Sequence, residues 1–377
     1  MPTSGIKIGR IFGIPIYLHA TWFIVFALIT FSLAKQFAYL HATWSEPQHW
    51  AAGVATSLLF FGSVLLHELG HSVIALRYRI PVVSITLFIF GGVARIGREP
   101  DSARKEFNIA IAGPLVSFGL AGIFTLISNP HVFGEGGMPD AMAGWLARIN
   151  LMLGAFNLVP GFPLDGGRIF RALVWWRTHD FARATRLASR IGQFIAYGLI
   201  VLGIWRSLTA GLMAGLWFVF IGWFLLNAAQ ESMSQVAIRD ALAGLRAADI
   251  MTQELPTIPG HLTLDEYFQE LLRTGRRCHL VISDGRMAGL MSVHALNRVP
   301  REDWPVTSVQ AAMIPRDLVH LAAPDDPLLG LLERMQSEDV NQMPIVSDGR
   351  VVGIVTRDSI LRVIQTRLEI GSLAGSH

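Results

Sequence analysis

Six long apolar runs dominate the first 230 residues of this 377-residue chain. They cover residues 11–35, 51–76, 107–127, 142–160, 187–205 and 208–229. Each run is close to the roughly 20 residues that an α-helix needs to cross the hydrocarbon of a bilayer. Only 16% of the residues are charged, where about 25% is usual in soluble domains. The sequence therefore predicts a polytopic α-helical membrane protein with about six transmembrane helices.

The first apolar run admits two interpretations. Lys7 and Arg10 precede it, and residues 32–34 (Ser-Leu-Ala) resemble a signal-peptide cleavage site. The run is, however, longer than the roughly 7–15 apolar residues of a typical signal peptide. We therefore favour an uncleaved membrane anchor.

The basic residues of the first 230 positions indicate an orientation. They cluster between the second and third runs and between the fourth and fifth, the latter group being Arg168, Arg171, Arg177, Arg183, Arg186 and Arg190. Basic residues close to membrane spans tend to remain cytoplasmic. We therefore expect both termini and the loop around Arg98 to be cytoplasmic, and the loop around Glu135 to be external. Because the basic residues form no single basic face, we expect the protein to bind no nucleic acid. We expect instead a prokaryotic cell-membrane protein that lies in the lipid bilayer.

Three ionisable residues fall inside the second apolar run. His67, Glu68 and His71 form an HExxH motif, in which the two histidines lie one helical turn apart and can bind the same ion. Glu68 points about 100° away from His67 and can reach a water molecule at an open metal position. The alternative is a pair of packing histidines with Glu68 bound to an arginine, which would bury polar groups at considerable cost. The single cysteine, Cys278, excludes a disulfide framework and a cysteine-based zinc cluster.

A second polar motif follows the fourth apolar run. Residues 157–167 read Asn-Leu-Val-Pro-Gly-Phe-Pro-Leu-Asp-Gly-Gly, and the prolines and glycines predict an interruption of the helix. Irregular backbone at membrane depth needs protein or a water-filled cavity around it. Asp165 could turn from this segment toward the metal, or it could lie on a solvated interfacial loop.

Together, the HExxH motif and the NxxPxxPLDGG motif resemble the site-2 protease family of intramembrane zinc metalloproteases. The resemblance extends over the apolar half and includes the Ala-Gly-Pro of residues 112–114. It implies one zinc ion per chain bound by His67, His71 and Asp165, with Glu68 as the catalytic base and Asn157 in contact with substrate. The implied reaction is hydrolysis of a peptide bond in or near a transmembrane segment of another membrane protein. The alternative is a membrane transporter or channel whose acids and histidines line an ion path.

Residues 83–96 lie between the second and third apolar runs and have a β-like composition. Residues 83–90 are rich in β-branched and aromatic side chains, and Gly91-Gly92 follows. This pattern predicts a membrane-associated β-hairpin beside the active site, with a short amphipathic linker as the alternative. An edge of this hairpin could pair with an unwound substrate, and we expect Leu87 and Ile89 to lie on that edge.

The last 140 residues contain an internal repeat. Residues 283–292 align with residues 347–356 at a displacement of 64 positions, and Asp-Gly turns occupy equivalent places. The order of strands and helices resembles a tandem pair of CBS domains, a soluble α/β module that could modulate the enzyme and form a homodimer. We place the domains at residues 1–235, 236–305 and 306–377. Adenine-nucleotide binding is doubtful, because Ser292 and Thr356 are followed three residues later by Ala295 and Ser359 where the resemblance leads us to expect aspartate.

Overall fold

A computed structural model describes residues 5–129, 137–276, 278–283 and 286–374. The chain divides into two compact units, Met1–Val236 and Ala237–His377. The predicted external loop around Glu135 and the first Asp-Gly turn, at residues 284–285, lie outside the described residues.

The first unit is built mainly from helices. In chain order they are α1 Ala20–Leu40, α2 Glu46–Arg77, α3 Ala103–Ile127, α4 Met138–Asn157, α5 Asp165–Thr178, α6 Phe181–Ala210 and α7 Leu212–Leu242, the last of which continues into the second unit. Among the described residues, α1, α2, α3, α6 and α7 are long and apolar enough to cross a membrane.

The fourth predicted span corresponds to α4. Its 20 residues reach about 30 Å, enough to cross the hydrocarbon. Asp140, Arg148 and Asn150 make it less apolar than the other five helices. Asn150 is fully buried and donates hydrogen bonds to the Leu146 carbonyl and the Ser63 hydroxyl. Within the described ranges, five helices are therefore strongly apolar, and α4 is a sixth helix of membrane length that carries a buried polar residue.

The expectation for the start of the first span is wrong. Residues 5–19 form a β-hairpin, β1 Gly5–Ile11 and β2 Ile14–His19, and the helix begins only at Ala20. Phe12 and Gly13 turn the chain with positive φ angles of 51° and 81°. The isoleucines of β2 favour a strand because β-branched side chains fit a pleated surface.

The predicted hairpin between α2 and α3 is confirmed. Its strands are β3 Val82–Phe88 and β4 Gly91–Ile96, and they complete a sheet in the order β1-β2-β3-β4. Leu87 pairs with Leu18 on one side and with Gly92 on the other, so β3 is an inner strand. The expectation that Leu87 and Ile89 form a free edge is therefore wrong, because Leu87 lies on an inner strand, Ile89 lies beyond β3, and the terminal strands are β1 and β4.

The second unit contains two similar halves. Its strands are β5 Thr257–Pro259, β6 Cys278–Ser283, β7 Arg286–Ser292, β8 Ile314–Pro315, β9 Gln342–Ser347 and β10 Arg350–Thr356. Its helices are α8 Ala247–Ile250, α9 Leu264–Thr274, α10 Val293–Leu296, α11 Val309–Ala312, α12 Leu328–Ser337 and α13 Arg357–Ala374.

Backbone pairing in the second unit repeats at the predicted displacement. Ile258 pairs with Val281 in the first half, and Ala322 pairs with Ile345 in the second, both in parallel and 64 residues apart. The two halves also pair with each other: β7 of the first half bonds to β8 of the second, and Thr252 of the first half bonds to Ile354 in β10 of the second. The two halves therefore complete one another.

Candidate metal centre

Two helices bring the predicted metal ligands together. His67 and His71 lie one turn apart on α2, each 4% exposed, with their Nε2 atoms 3.3 Å apart. Asp165 is the first residue of α5, and its Oδ2 lies 3.1 Å from each Nε2. Of the histidine, cysteine and carboxylate groups in the described residues, these three form the cluster that could hold a metal ion.

The spacing of the donor atoms fits a tetrahedral zinc ion. Zinc lies about 2.0–2.1 Å from nitrogen and oxygen ligands, so two donors at the tetrahedral angle are about 3.3 Å apart. The observed separations of 3.1, 3.1 and 3.3 Å match this edge. Three protein ligands leave a fourth position for water or substrate, which is the arrangement of catalytic zinc sites.

The other ring nitrogens of both histidines contact α3. His71 Nδ1 donates to the Ile109 carbonyl at 2.7 Å, and His67 Nδ1 lies 2.9 Å from the Ser117 hydroxyl. A carbonyl oxygen can only accept, so this contact places a proton on His71 Nδ1 and leaves Nε2 free to bind a metal.

A glycine of α3 makes room for the centre. A Cβ at Gly113 would lie 2.7 Å from His67 Nε2 and closer still to His71 Nε2. Only a residue without a side chain fits there. Sequence reasoning included Gly113 through the family resemblance alone and did not identify this packing role.

The predicted interruption between α4 and α5 is present at residues 158–164. Phe162 donates its backbone N–H to the Ala188 carbonyl of α6, at 3.3 Å. A Cβ at Gly167 would lie 2.5 Å from the Phe162 nitrogen, so the loop folds tightly onto the start of α5. This packing turns Asp165 toward α2. Asn157 is half-buried at the end of α4, and its contact with substrate stays a prediction.

Glu68 lies beside the β-sheet. Its Oε2 accepts a hydrogen bond from the backbone N–H of Ala94, at 3.2 Å. A Cβ at Gly92 would lie 2.5 Å from Glu68 Cγ, so the glycine lets β4 approach the carboxylate. The terminal strand β4 and the candidate base are therefore immediate neighbours.

One buried ion pair is not predicted by the sequence. Sequence reasoning counted Arg171 among loop arginines, whereas the structure buries it on α5, 7% exposed, against the fully buried Glu106 of α3. The only available signal was its position six residues after Asp165, which does not distinguish a buried arginine from a solvated one.

Comparison with known proteins identifies the family. The sequence profile of "Peptidase family M50" matches residues 55–135 and 135–199, and that of "CBS domain" matches residues 312–366. "Putative zinc metalloprotease Rip3" of Mycobacterium tuberculosis is 36% identical over 371 residues, covering 96% of this chain and 93% of the relative. "Putative zinc metalloprotease sll0528" of Synechocystis sp. is 34% identical over 368 residues, covering 96% of each chain.

Among solved structures, "Site-2 Protease from Methanocaldococcus jannaschii" is 32% identical, with a TM-score of 0.43, and covers 61% of this chain and 95% of that one. The predicted fold class, membrane helices followed by a CBS module, is confirmed by the family matches and the apolar helices. With this identity along almost its whole length, the chain belongs to peptidase family M50, the site-2 proteases, and is a membrane metalloprotease of a zinc-dependent family.

Proposed function

We propose that the protein is an intramembrane zinc endopeptidase that hydrolyses a peptide bond in or near a transmembrane segment of a membrane protein, as part of regulated intramembrane proteolysis. The convergence of His67, His71 and Asp165 within 3.3 Å of one another, on helices packed in an apolar unit, carries this proposal. Concentration of the acids and histidines in one centre favours a hydrolase over a transporter, whose ion path would need polar groups along several helices.

The chain supplies the remaining parts of a hydrolytic site. When bound, zinc lowers the pKa of water and polarises a carbonyl group. Glu68 takes a proton from the attacking water on its carboxylate and delivers it to the leaving amide nitrogen. Ser117 and Ile109 hold the imidazoles in one orientation, and the negative charge of Asp165 offsets part of the ion's charge.

Substrate presentation is the second requirement. A transmembrane helix satisfies its own backbone hydrogen bonds, so it must unwind before cleavage, and the freed groups are costly in hydrocarbon. The outer edge of β4 can satisfy them by β-augmentation, because β4 is a terminal strand of the sheet and lies beside Glu68. Asn157 would add a side-chain contact near the metal. Substrates with Gly, Pro or Asn in the membrane segment should be cleaved preferentially.

The critical experiment separates chemistry from metal binding. Purified protein in lipid vesicles with a single-span substrate is assayed by mass spectrometry, which also locates the cleaved bond. Glu68→Gln should abolish cleavage and keep zinc, because the base is lost while the three ligands remain. His67→Ala should lose both. Glu46→Gln, on the exposed start of α2, is the matched control and should cleave normally. Near-normal cleavage by Glu68→Gln would contradict the assigned base.

We further propose that the CBS pair lies in the cytoplasm, modulates cleavage and mediates a homodimer. The CBS match at residues 312–366 and the two similar halves of the second unit support a separate regulatory module. Reporter fusions at residue 377 and beside Arg98 should be active in the cytoplasm, and a fusion near Glu135 outside it. Cytoplasmic activity of the Glu135 fusion would contradict this topology.

A further inference from the structure

A buried ion pair links the helices on either side of the metal centre. Arg171 of α5 donates from Nε to Glu106 Oε1 of α3 at 2.7 Å, and its Nη2 contacts the same oxygen. Glu106 is fully buried and Arg171 is 7% exposed. The guanidinium lies over the rings of Phe162, at 4.9 Å, and Phe181, at 4.6 Å.

The two ends of this pair lead to different metal ligands. Glu106 precedes Ile109 by one helical turn on α3, and the Ile109 carbonyl accepts the Nδ1 hydrogen bond of His71. Arg171 packs on Phe162, three residues before Asp165 in the loop that delivers this carboxylate. The pair therefore joins the helix that orients the histidines to the segment that carries the aspartate.

Stability alone is a poor explanation for this pair. Removing two charges from water costs free energy that their attraction often fails to return, and apolar replacements of such pairs are frequently neutral or stabilising. Glu106 Oε2 is also buried without a hydrogen-bond partner among the described residues, which adds to the cost. Stability alone therefore does not account for this pair.

We propose that Glu106 and Arg171 are positioning residues that set the distance between Asp165 and the two imidazoles, and so determine zinc affinity. The proposal rests on the zinc site proposed above. The planar guanidinium is held by two ring faces, the buried Glu106 carboxylate and the more exposed Glu99 carboxylate at 3.8 Å, which fixes its orientation more closely than an ammonium group could. Removing the direct hydrogen-bond partner of a metal ligand commonly changes metal affinity by about 10–100-fold, and this pair acts one contact further out, so we expect the lower end of that range.

The test uses a double variant, Glu106→Leu with Arg171→Met, in the purified full-length chain. Removing both charges avoids an unpaired buried ion, so the thermal midpoint should match or exceed that of the wild type. Zinc affinity, measured by chelator competition, should fall about 10-fold or more. The absorption spectrum of the cobalt-substituted protein, which reports ligand geometry, should shift as well.

Asp101→Asn with Lys105→Met is the matched control. It removes an ion pair of 2.8 Å at the solvated start of the same helix, and it should leave zinc affinity and the cobalt spectrum unchanged. Arg171→Lys serves as a second variant if the double variant fails to fold. It keeps the charge but loses the planar group, so affinity should fall to a smaller extent.

Wild-type zinc affinity and cobalt spectrum in a folded double variant, or in Arg171→Lys, would overturn the proposal. His67→Ala distinguishes this failure from failure of the zinc site itself. If His67→Ala loses zinc while the double variant keeps wild-type affinity, only the positioning role is wrong. If His67→Ala keeps zinc, the ligand assignment is wrong.

Discussion

Gly113→Ala should destroy the metal centre by adding one methyl group. The new Cβ would lie 2.7 Å from His67 Nε2 and nearer still to His71 Nε2, whereas ordinary contacts begin near 3.4 Å. The methyl would therefore occupy the space between the donor atoms. The rings have little freedom to retreat, because Ser117 and Ile109 hold their other nitrogens from the same helix that carries the methyl.

The size of the effect follows from the tolerance of metal sites. Ligand distances vary by only about 0.2 Å, so a displacement of more than about 0.5 Å removes a ligand. Structural zinc binding in zinc-finger peptides contributes about 10–16 kcal/mol, and on that scale an equal share for one of three protein ligands is about 4 kcal/mol. A loss of about 4 kcal/mol corresponds to roughly 1,000-fold weaker zinc binding.

The assay is zinc content by mass spectrometry together with chelator competition on the purified chain. Gly119→Ala is the control, because it lies on the same helix with no atom within 4 Å of the added Cβ. Alanine is favoured over glycine in helices by about 1 kcal/mol, so neither variant should lose the helix. Zinc affinity of Gly113→Ala within threefold of the wild type would refute the inferred geometry.

Three further predictions concern the strand edge and the second unit. Ala94→Pro removes the N–H that donates to Glu68 Oε2 and should reduce cleavage at least tenfold with normal zinc content, whereas Val83→Pro, at the bulge of β3, should change cleavage little; equal rates would exclude a role in cleavage for this contact between β4 and Glu68. Burial raises the pKa of the Cys278 thiol to about 12, so above a pH of about 8.5 the unfolded chain releases a proton that the folded chain keeps. Raising the pH from 7.5 to 9.5 should therefore lower the free energy of unfolding of the wild type by about 1 kcal/mol more than that of Cys278→Ala. Equal losses would contradict this burial. Calorimetry on the full-length chain should detect at most weak ATP or AMP binding, and micromolar affinity would refute this expectation.

The nucleotide expectation is consistent with how the second unit uses its side chains. Ser292 Oγ accepts the backbone N–H of Ala295 at 3.3 Å. Thr356 and Ser359 exchange hydrogen bonds, with Ser359 N donating to Thr356 Oγ1 at 3.1 Å. These hydroxyl groups cap the starts of α10 and α13. The positions where the family resemblance predicts a ribose-binding aspartate are thus occupied by residues that complete local backbone structure.

Sequence reasoning predicted one β-hairpin and missed the other for a physical reason. Residues 82–96 stand between two clear helical runs, so their β-branched content and Gly91-Gly92 were visible. The strand at Ile14–His19 continues directly into the apolar α1, and hydropathy cannot separate a buried strand from the start of a span. Only pairing of β2 with β3, a contact between distant segments, distinguishes them.

The candidate site likewise has one part that follows from local sequence and another part that depends on contacts between distant segments. The HExxH spacing defines one helix face, so the approach of His67 to His71 follows from local geometry. The turn of Asp165 toward them depends on Phe162 packing against α6 and against Gly167 at the start of α5, which no local pattern reveals. The buried state of Arg171 likewise depends on Glu106, 65 residues earlier in the chain.

The most direct test of the metal centre is zinc X-ray absorption on the purified full-length chain. One zinc per chain should show two imidazole nitrogens and a carboxylate oxygen at about 2.0–2.2 Å. Asp165→Ala should lose the carboxylate contribution while retaining the imidazole signal of any zinc still bound. A sulfur ligand, three or more imidazoles, or a spectrum unchanged by Asp165→Ala would contradict the assignment of His67, His71 and Asp165.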